Sequence, residues 1–198
     1  MAIWREPSLE ELESRLDHIR RSPAEGGVLE LIVRRPRVNE REVLEEAELH
    51  PAHGLVGDRW AAAPDPDVDR QLLLMNARAI AALAGDRSRW PLAGDQLFVD
   101  FDLSVGNLKV GTRLAIGSAV IELTEPPHTG CGKFASRFGV DATKFVNSPE
   151  GRRLRLRGVK AKVVTAGTIR AGDRVTKLTA GAADSPAVSA ERGTAMLS

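Results

Sequence analysis

Residues 114–123 read Leu-Ala-Ile-Gly-Ser-Ala-Val-Ile-Glu-Leu, which is two short apolar segments separated by the pair Gly117-Ser118. A glycine followed by serine is typical of the tight connection between two antiparallel strands. The stretch therefore predicts a β-hairpin. The rest of the chain contains further segments of the same kind, and together they decide the fold class.

These further segments have the length and apolar content of β-strands. They are residues 28–33, 41–49, 71–75, 97–101, 158–163 and 173–175. Residues 41–49 are compatible with a helix as well, but Pro36 and Asn39 just before them favour a hairpin connection and hence a strand. Many short strands and few helices predict a mainly β protein with short helices (α+β), closed into a β-barrel, because closure removes exposed strand edges.

Helices are predicted at three places in the chain. Ser8 and Glu11 have the spacing of a capping box, and apolar residues at helical spacing extend the predicted helix to about Arg21. Asn76 is a candidate N-cap for a helix over residues 77–83. Residues 128–153 are expected to contain several short helices, the last beginning at Ser148-Pro149.

The domain organisation that follows has three parts. Residues 1–25 form a helical extension, residues 26–179 form the barrel domain, and the small, polar residues 180–198 are expected to be a disordered tail. No internal repeat is evident.

Composition and charge exclude several classes of protein. The 28 basic residues nearly balance the 27 acidic residues, so no global positive charge indicates a nucleic-acid partner. No signal peptide and no apolar run of membrane-spanning length is found, and the single cysteine cannot form an internal disulfide or a zinc cluster. We therefore expect a cytoplasmic protein with no membrane partner, in which any cysteine chemistry involves one thiolate.

The stretch Thr129-Gly130-Cys131-Gly132-Lys133-Phe134 contains that cysteine. A following helix N-terminus, Lys133 and His128 could each favour the thiolate form, and the flanking glycines would let a ligand approach the sulfur. Cys131, His128 and Lys133 are therefore the predicted catalytic residues. The alternative is that Cys131 is a buried residue acting as a small hydrophobe, although such cysteines usually lie in apolar runs.

Two other stretches suggest contacts with an anion. In residues 53–60, Gly57 permits a tight turn and Asp58 and Arg59 could pair with each other or bind an anionic group; ordinary loop chemistry would explain the same residues. A second stretch is basic, and its members are Arg152, Arg153, Arg155, Arg157, Lys160 and Lys162. It is either a solvated face or a site for a phosphate-bearing ligand.

Taken in order, several motifs resemble the MOSC family, the C-terminal module of molybdenum cofactor sulfurases. They are Gly57-Asp58-Arg59, the strand at 71–75 leading into a helix, Gly94-Asp95-Gln96-Leu97, residues 111–117, the single cysteine after a Pro-containing turn, Gly158-Val159, and residues 167–173. The resemblance extends over roughly residues 27–178.

The resemblance implies a stand-alone MOSC protein with a β-barrel similar to the barrel domain of pyruvate kinase. It implies an anionic, pterin-based molybdenum cofactor with Cys131 as the metal ligand, and small N-hydroxylated compounds as substrates of an oxidoreductase supplied with electrons by a redox partner. The residues expected to bind the cofactor are Gly57, Asp58, Arg59, Gln96 and Arg137. The family is also associated with pyridoxal phosphate binding.

Two other functions remain open at this point. In the first, Cys131 carries sulfur as a persulfide, received from a cysteine desulfurase and delivered to a metal centre. In the second, the protein is a binding module without catalysis, and the cysteine has no chemical role.

Overall fold

The computed structural model describes residues 4–125 and 127–178. Its eleven strands are β1 (Gly27–Arg34), β2 (Glu42–Leu44), β3 (Glu46–His50), β4 (Gly54–Leu55), β5 (Leu72–Asn76), β6 (Leu97–Asp100), β7 (Arg113–Ile116), β8 (Ala119–Leu123), β9 (Val159–Thr165), β10 (Gly167–Arg170) and β11 (Arg174–Leu178). Its six α-helices are α1 (Leu9–Glu13), α2 (Leu16–Arg20), α3 (Ala77–Ala84), α4 (Gly132–Phe138), α5 (Val140–Asn147) and α6 (Pro149–Arg153). The predicted tail at 180–198 lies outside the described residues.

Seven of these strands close into a barrel, which confirms the predicted fold class. The order around the barrel is β11-β7-β8-β9-β5-β6-β1, and β1 pairs with β11 to close it. All neighbours are antiparallel except β5 and β6, which are parallel. Strand β2 extends the sheet beyond β1, so residues 28–33 and 42–44 form the predicted hairpin around residues 36–39. The barrel is therefore a closed mixed sheet, with one parallel pair of strands among antiparallel pairs.

The hairpin at residues 114–123 is present as β7 and β8. Successive residues of the two strands alternate between buried and partly exposed positions. The buried positions include Leu114, Ile116, Ile121 and Leu123. Gly117 occupies the turn with φ +56°, and a Cβ at this position would lie 2.3 Å from the carbonyl oxygen of Thr168. Only glycine fits this turn, because Thr168 of β10 packs directly against it.

A second sheet of three strands, in the order β10-β3-β4, was not predicted as a separate unit. Strand β10 follows β9 after a single residue but pairs with β3 rather than with the barrel, over Gly167↔Leu49 to Arg170↔Glu46. The buried residues of this three-stranded sheet join the core inside the barrel; they are Ala47, Leu49, Leu55 and Ile169. The small sheet therefore covers one end of the barrel.

The helices pack on the outside of the barrel around a second core. This core includes Leu12, Ile80, Phe98, Phe134 and Phe145, all buried. The predicted cap of α3 is confirmed, since the Asn76 side chain accepts the Ala79 amide at 2.9 Å. Helices α4, α5 and α6 follow one another between β8 and β9 and bring residues 130–153 against the barrel wall.

The predicted N-terminal helix is two short helices rather than one. The capping box of Ser8 and Glu11 is present at the start of α1. The helix ends early because the hydroxyl of Ser14 donates to the carbonyl of Glu11 at 2.7 Å, which competes with the helical hydrogen bond to that carbonyl. The amide of Leu9 also donates to Asp141, so this segment is attached to α5.

Candidate functional site

Cys131 is an exposed residue at the end of an extended segment, immediately before α4. The pKa of its thiol lies below the ordinary value, mainly because the main-chain amide of Phe134 faces the sulfur. The amide of Lys133 and the charge of Arg157 act in the same direction, and partial burial acts against them. A larger fraction of this thiol is therefore ionised at neutral pH than in a free cysteine.

The groups that lower this pKa differ in part from those predicted. The start of α4 contributes as expected, through its amides. Lys133 is exposed and acts on the thiol through its main-chain amide, whereas the nearby positive charge comes from Arg157. His128 adds no charge, because its burial lowers its pKa and leaves the ring neutral at pH 7.

Asn147, at the end of α5, fixes the segment before the cysteine. The Gly130 amide donates to Asn147 Oδ1 at 3.0 Å, and Asn147 Nδ2 donates to the Gly130 carbonyl at 3.0 Å. A Cβ at Gly130 would lie 2.9 Å from Val146 Cγ2, so only glycine allows this contact. On the other side of Cys131, a Cβ at Gly132 would meet no described atom within 4 Å. The residue before Cys131 is thus fixed by α5, whereas the residue after it borders open space.

His128, Asp95 and Arg157 form a buried cluster next to the cysteine loop. Arg157 Nη1 donates to Asp95 Oδ2 at 2.7 Å, and its guanidinium lies 4.9 Å from the centre of the Phe134 ring in α4. His128 Nδ1 is 3.5 Å from Asp95 Oδ1, and both atoms are buried without a hydrogen bond among the described residues. Burial lowers the pKa of His128 to about 4, although Asp95 opposes this shift.

Gly57, Asp58 and Arg59 lie in one turn but differ in exposure: Asp58 is buried, whereas Gly57 and Arg59 are exposed. Gly57 is exposed with φ +81°. Asp58 is buried and receives a two-point ion pair from Arg35, with Nε to Oδ2 and Nη2 to Oδ1 both at 2.9 Å. Arg35 Nη1 also donates to the carbonyl of Gly94 at 2.9 Å. Asp58 therefore holds an arginine in place, whereas Arg59 is exposed to solvent.

Arg59 belongs to a group of four arginines that the sequence analysis did not predict to lie near one another. We call it the arginine cluster, and its members are Arg35, Arg41, Arg59 and Arg137. The pKa of Arg41 is lowered, first by burial and then by the charges of Arg137, Arg35 and Arg59. Arg41 and Arg137 are held next to Gly94 by the carbonyls of Pro91 and Leu92, at 3.2 and 2.7 Å. Asp58 is occupied by Arg35, so the cluster has excess positive charge.

Gln96 is buried between β5 and β6. Its Oε1 accepts the amide of Leu73 at 2.9 Å, and its Nε2 donates to the carbonyl of Gln71 at 3.2 Å. Both polar groups of the side chain are thus used in connecting the two parallel strands. The neighbouring residues Gly94 and Asp95 are the ones that face the charged groups of the site.

Four members of the predicted basic stretch line a cavity of about 430 Å³ beside His128 and Thr129. We call it the basic cavity, and these four members are Arg152, Arg155, Arg157 and Lys160. The other two members point elsewhere, because Arg153 pairs with Glu150 and Lys162 pairs with Asp69 and Glu122. Most of the basic stretch therefore lines a cavity rather than forming a solvated face.

Over residues 4–125 and 127–178, no helix combines the length and apolar character needed to cross a lipid bilayer. The same residues contain no group of three or more His, Cys, Asp or Glu side chains arranged to hold a metal ion. A metal at Cys131 would therefore take its other ligands from a cofactor or from solvent.

Comparison with known proteins agrees with this architecture. The chain is similar to the crystal structure of the YuaD protein from Bacillus subtilis, with a TM-score of 0.53 and 15% identity over 76% of this chain and 94% of that one. It is similar to YiiM from Escherichia coli, with a TM-score of 0.52 and 17% identity over 77% and 70% of the two chains. These likenesses concern the fold. A search of the curated proteins found no match.

The sequence model of the MOSC domain matches residues 57–176, which is more than half of the chain. The matched region begins at the Gly57 turn, includes both Asp95 and Cys131, and ends in β11, the strand that closes the barrel. The chain belongs to the MOSC domain family.

Proposed function

We propose that the protein binds a pterin-based molybdenum cofactor, with the Cys131 sulfur as a metal ligand, and acts as an oxidoreductase component on N-hydroxylated compounds. The observation that carries the proposal is an exposed thiol whose pKa is lowered by main-chain amides and by Arg157, at the start of the helix that carries Arg137 of the arginine cluster. A thiolate is a soft ligand suited to such a metal. The family membership gives the cofactor class.

The charges of the arginine cluster fit an anionic cofactor. In the arginine cluster, Arg41, Arg59 and Arg137 have no carboxylate partner within 4 Å among the described residues. Guanidinium groups bind phosphate and other oxyanions through two parallel hydrogen bonds. Neutralising these charges with a bound anion relieves the mutual repulsion of the arginines, and this favours cofactor retention.

The predicted cofactor residues then have distinct roles. Arg59 and Arg137 would hold the anionic groups of the cofactor directly, together with Arg41. Asp58 acts as a positioning residue through Arg35, and the turn at Gly57 allows this arrangement. Gln96 keeps β5 and β6 in register, which places Gly94 and Asp95 at the site.

Reduction of an N-hydroxylated compound consumes two electrons and two protons, breaks the N–O bond and releases water. The bound cofactor would supply the redox centre, and a partner protein would supply the electrons. His128 is neutral at pH 7, and the carboxylate opposite its Nδ1 favours the tautomer with the proton on that atom. Nε2 is then free to accept a hydrogen bond from the substrate.

Metal analysis tests the proposal. Protein from a host that makes the cofactor should contain about one equivalent of molybdenum together with pterin, and Cys131→Ser should lose the metal. Thr129→Ser, two residues away, keeps the thiol and should retain the metal. Wild-type protein without molybdenum and pterin contradicts the proposal.

A second candidate function is sulfur transfer, which the exposed position of the chain's single thiol favours. In that step the Cys131 thiolate attacks the outer sulfur of a persulfide on a cysteine desulfurase. A new S–S bond forms on Cys131, the donor S–S bond breaks, and the donor cysteine leaves as a thiolate. The intact mass should increase by one sulfur after incubation with desulfurase and cysteine. No increase, or an equal increase in Cys131→Ser, excludes this function.

A non-catalytic binding module is the third candidate. It predicts neither molybdenum nor persulfide at Cys131, and a thiol that reacts slowly with alkylating reagents at neutral pH.

A further inference from the structure

We propose that the basic cavity binds the phosphate group of a small molecule, at a site separate from the arginine cluster. The proposal does not depend on a bound molybdenum cofactor, because the cations that carry it, Lys160, Arg155 and Arg152, are not members of the arginine cluster. The cavity lies between the loop before Cys131, the segment around α6, and the start of β9.

Lys160 is the first reason for this proposal. It is a buried residue, and its ammonium donates one hydrogen bond, to the carbonyl of Pro127 at 2.8 Å. Within the described part of the chain it has no carboxylate within 4 Å, and its pKa is lowered mainly by burial. An ammonium removed from water without an anionic partner is unfavourable. A bound anion would provide the missing partner.

Arg155 is the second reason. Its φ is +50°, in the left-handed region that residues with a Cβ occupy at an energetic cost. Nη1 donates to the carbonyls of Leu103 and Leu108, at 3.3 and 2.9 Å, and burial lowers the pKa of the guanidinium. Among the described residues no carboxylate lies within 4 Å of it. Arg155 thus lines the cavity and carries a second cation without a carboxylate partner in the described part of the chain, and the carbonyls of Leu103 and Leu108 fix its guanidinium.

The balance of charge indicates a dianion. Arg152 and Arg157 add two further cations to the wall, and Arg157 Nε is buried without a hydrogen bond to the described residues. Two carboxylates oppose the four cations, since Asp95 pairs with Arg157 and Glu125 lies at the wall. The excess of two positive charges matches a phosphomonoester, which is close to doubly charged at pH 7.

Size and apolar surface indicate that the phosphate is attached to an organic group. A volume of about 430 Å³ is within the range of small-molecule sites. Leu123, Val146 and Val159 line the cavity beside the cations. A phosphomonoester with a small apolar group satisfies both parts of the wall, whereas free phosphate would use only the charged part.

The basic cavity and the arginine cluster lie on opposite sides of a short main-chain segment. Gly94 is next to Arg41 and Arg137 and accepts a hydrogen bond from Arg35, whereas Asp95 pairs with Arg157. The two sites therefore share a wall but no arginine. Substitutions in one can be tested against substitutions in the other.

The test is calorimetric titration of cofactor-free protein with phenyl phosphate, with inorganic phosphate and phenol as the two partial ligands. Phenyl phosphate should bind more tightly than inorganic phosphate, and phenol should not bind. Lys160→Gln and Arg152→Gln should each weaken phenyl phosphate binding about tenfold. Arg152 is exposed, so its substitution tests the proposal even where Lys160→Gln fails to fold.

Matched controls separate this site from general attraction of anions. Arg153→Gln removes the same charge one residue away but outside the cavity, and Arg41→Gln removes it from the arginine cluster. Both should change the affinity by less than about twofold. Four results would overturn the proposal: no binding to the wild type at millimolar concentration, phenol binding as tightly as phenyl phosphate, Arg153→Gln weakening binding as much as Arg152→Gln, or Arg41→Gln weakening it equally.

Discussion

Arg157 and Asp95 are 62 residues apart in the sequence, yet Arg157 Nη1 and Asp95 Oδ2 are 2.7 Å apart in the folded protein. Both side chains are buried. The guanidinium also lies over the ring of Phe134 and lowers the pKa of the Cys131 thiol. This ion pair therefore connects the segments before β9 and before β6 to the helix that follows the cysteine.

The first prediction concerns removal of one charge from this pair. Asp95→Asn should lower the free energy of unfolding by about 3–5 kcal/mol, because it leaves the buried Arg157 guanidinium without its carboxylate. The double variant Asp95→Leu/Arg157→Met should recover most of that loss, since it leaves no buried charge. Urea denaturation measures both.

An exposed pair supplies the control for this prediction. Glu46 and Arg170 form an ion pair in which both side chains are more than half exposed. Glu46→Gln should cost less than about 1 kcal/mol. Equal losses in Asp95→Asn and Glu46→Gln would contradict the structural role given to the buried pair.

The second prediction concerns Asn147, which exchanges two hydrogen bonds with Gly130. Asn147→Ala should destabilise the protein by about 1–3 kcal/mol and should slow alkylation of Cys131 at neutral pH. The thiol loses reactivity because the loop no longer holds the sulfur against the amides that favour its thiolate form. The pH dependence of iodoacetamide modification reports the pKa directly, since the chain has a single cysteine.

Asn107 provides the matched substitution. Its side chain makes comparable hydrogen bonds to the carbonyls of Asp102 and Ala24, at 2.8 and 3.2 Å, in a loop that does not line the cysteine site. Asn107→Ala should reduce stability and leave the reactivity of Cys131 unchanged. An unchanged thiol pKa in Asn147→Ala would show that the loop is fixed by other contacts.

The third prediction is an acid-dependent loss of stability that originates at His128. The unfolded chain takes up a proton on this residue near the ordinary value of 6.5, whereas burial delays protonation in the folded state to about pH 4. Between these values the unfolded state binds more protons, so stability falls as the pH is lowered through this window and levels off below it. The contribution is at most about 3 kcal/mol.

His128→Gln removes this proton and should flatten the stability curve between pH 6.5 and 4 relative to the wild type. His18 is exposed, so His18→Gln should leave the curve unchanged. Urea midpoints measured across the pH range make the comparison, and an NMR titration of the His128 ring gives its pKa independently. A ring that titrates near 6.5 contradicts the buried position.

Local features of the sequence predicted local features of the structure. The hairpin at residues 114–123, the capping box at Ser8 and the cap at Asn76 depend on neighbouring residues, so their spacing is sufficient to identify them. The sheet formed by β3, β4 and β10 and the parallel pairing of β5 with β6 depend on contacts between distant segments, and no local periodicity reports such contacts.

The same distinction explains the outcome at the site. Cys131 is recognisable from its glycine neighbours and its position before a helix. Asn147 looks like an ordinary residue near a helix end, and Arg41 looks like an isolated surface charge. Their roles arise only when folding brings Asn147 to Gly130 and Arg41 to Arg137. Asp58 and Gln96 were predicted to bind the cofactor; the fold shows that their side chains bond to Arg35 and to the main chain of Leu73 and Gln71, partners that no local pattern indicates.

The last prediction concerns Arg59 and depends on the proposed cofactor. The Arg59 guanidinium is exposed and makes no hydrogen bond or ion pair with the described residues, so Arg59→Gln should leave the free energy of unfolding nearly unchanged. It should nevertheless weaken cofactor retention by about fivefold, because one cation that faces the anionic groups is lost. The measurement is the molybdenum content that remains after extensive dilution and gel filtration. Arg21→Gln, which removes an exposed charge from the end of α2, is the control and should retain the wild-type content. If both variants lose molybdenum equally, the retention reflects net charge alone. If neither loses it, the anionic groups of the cofactor do not contact the arginine cluster.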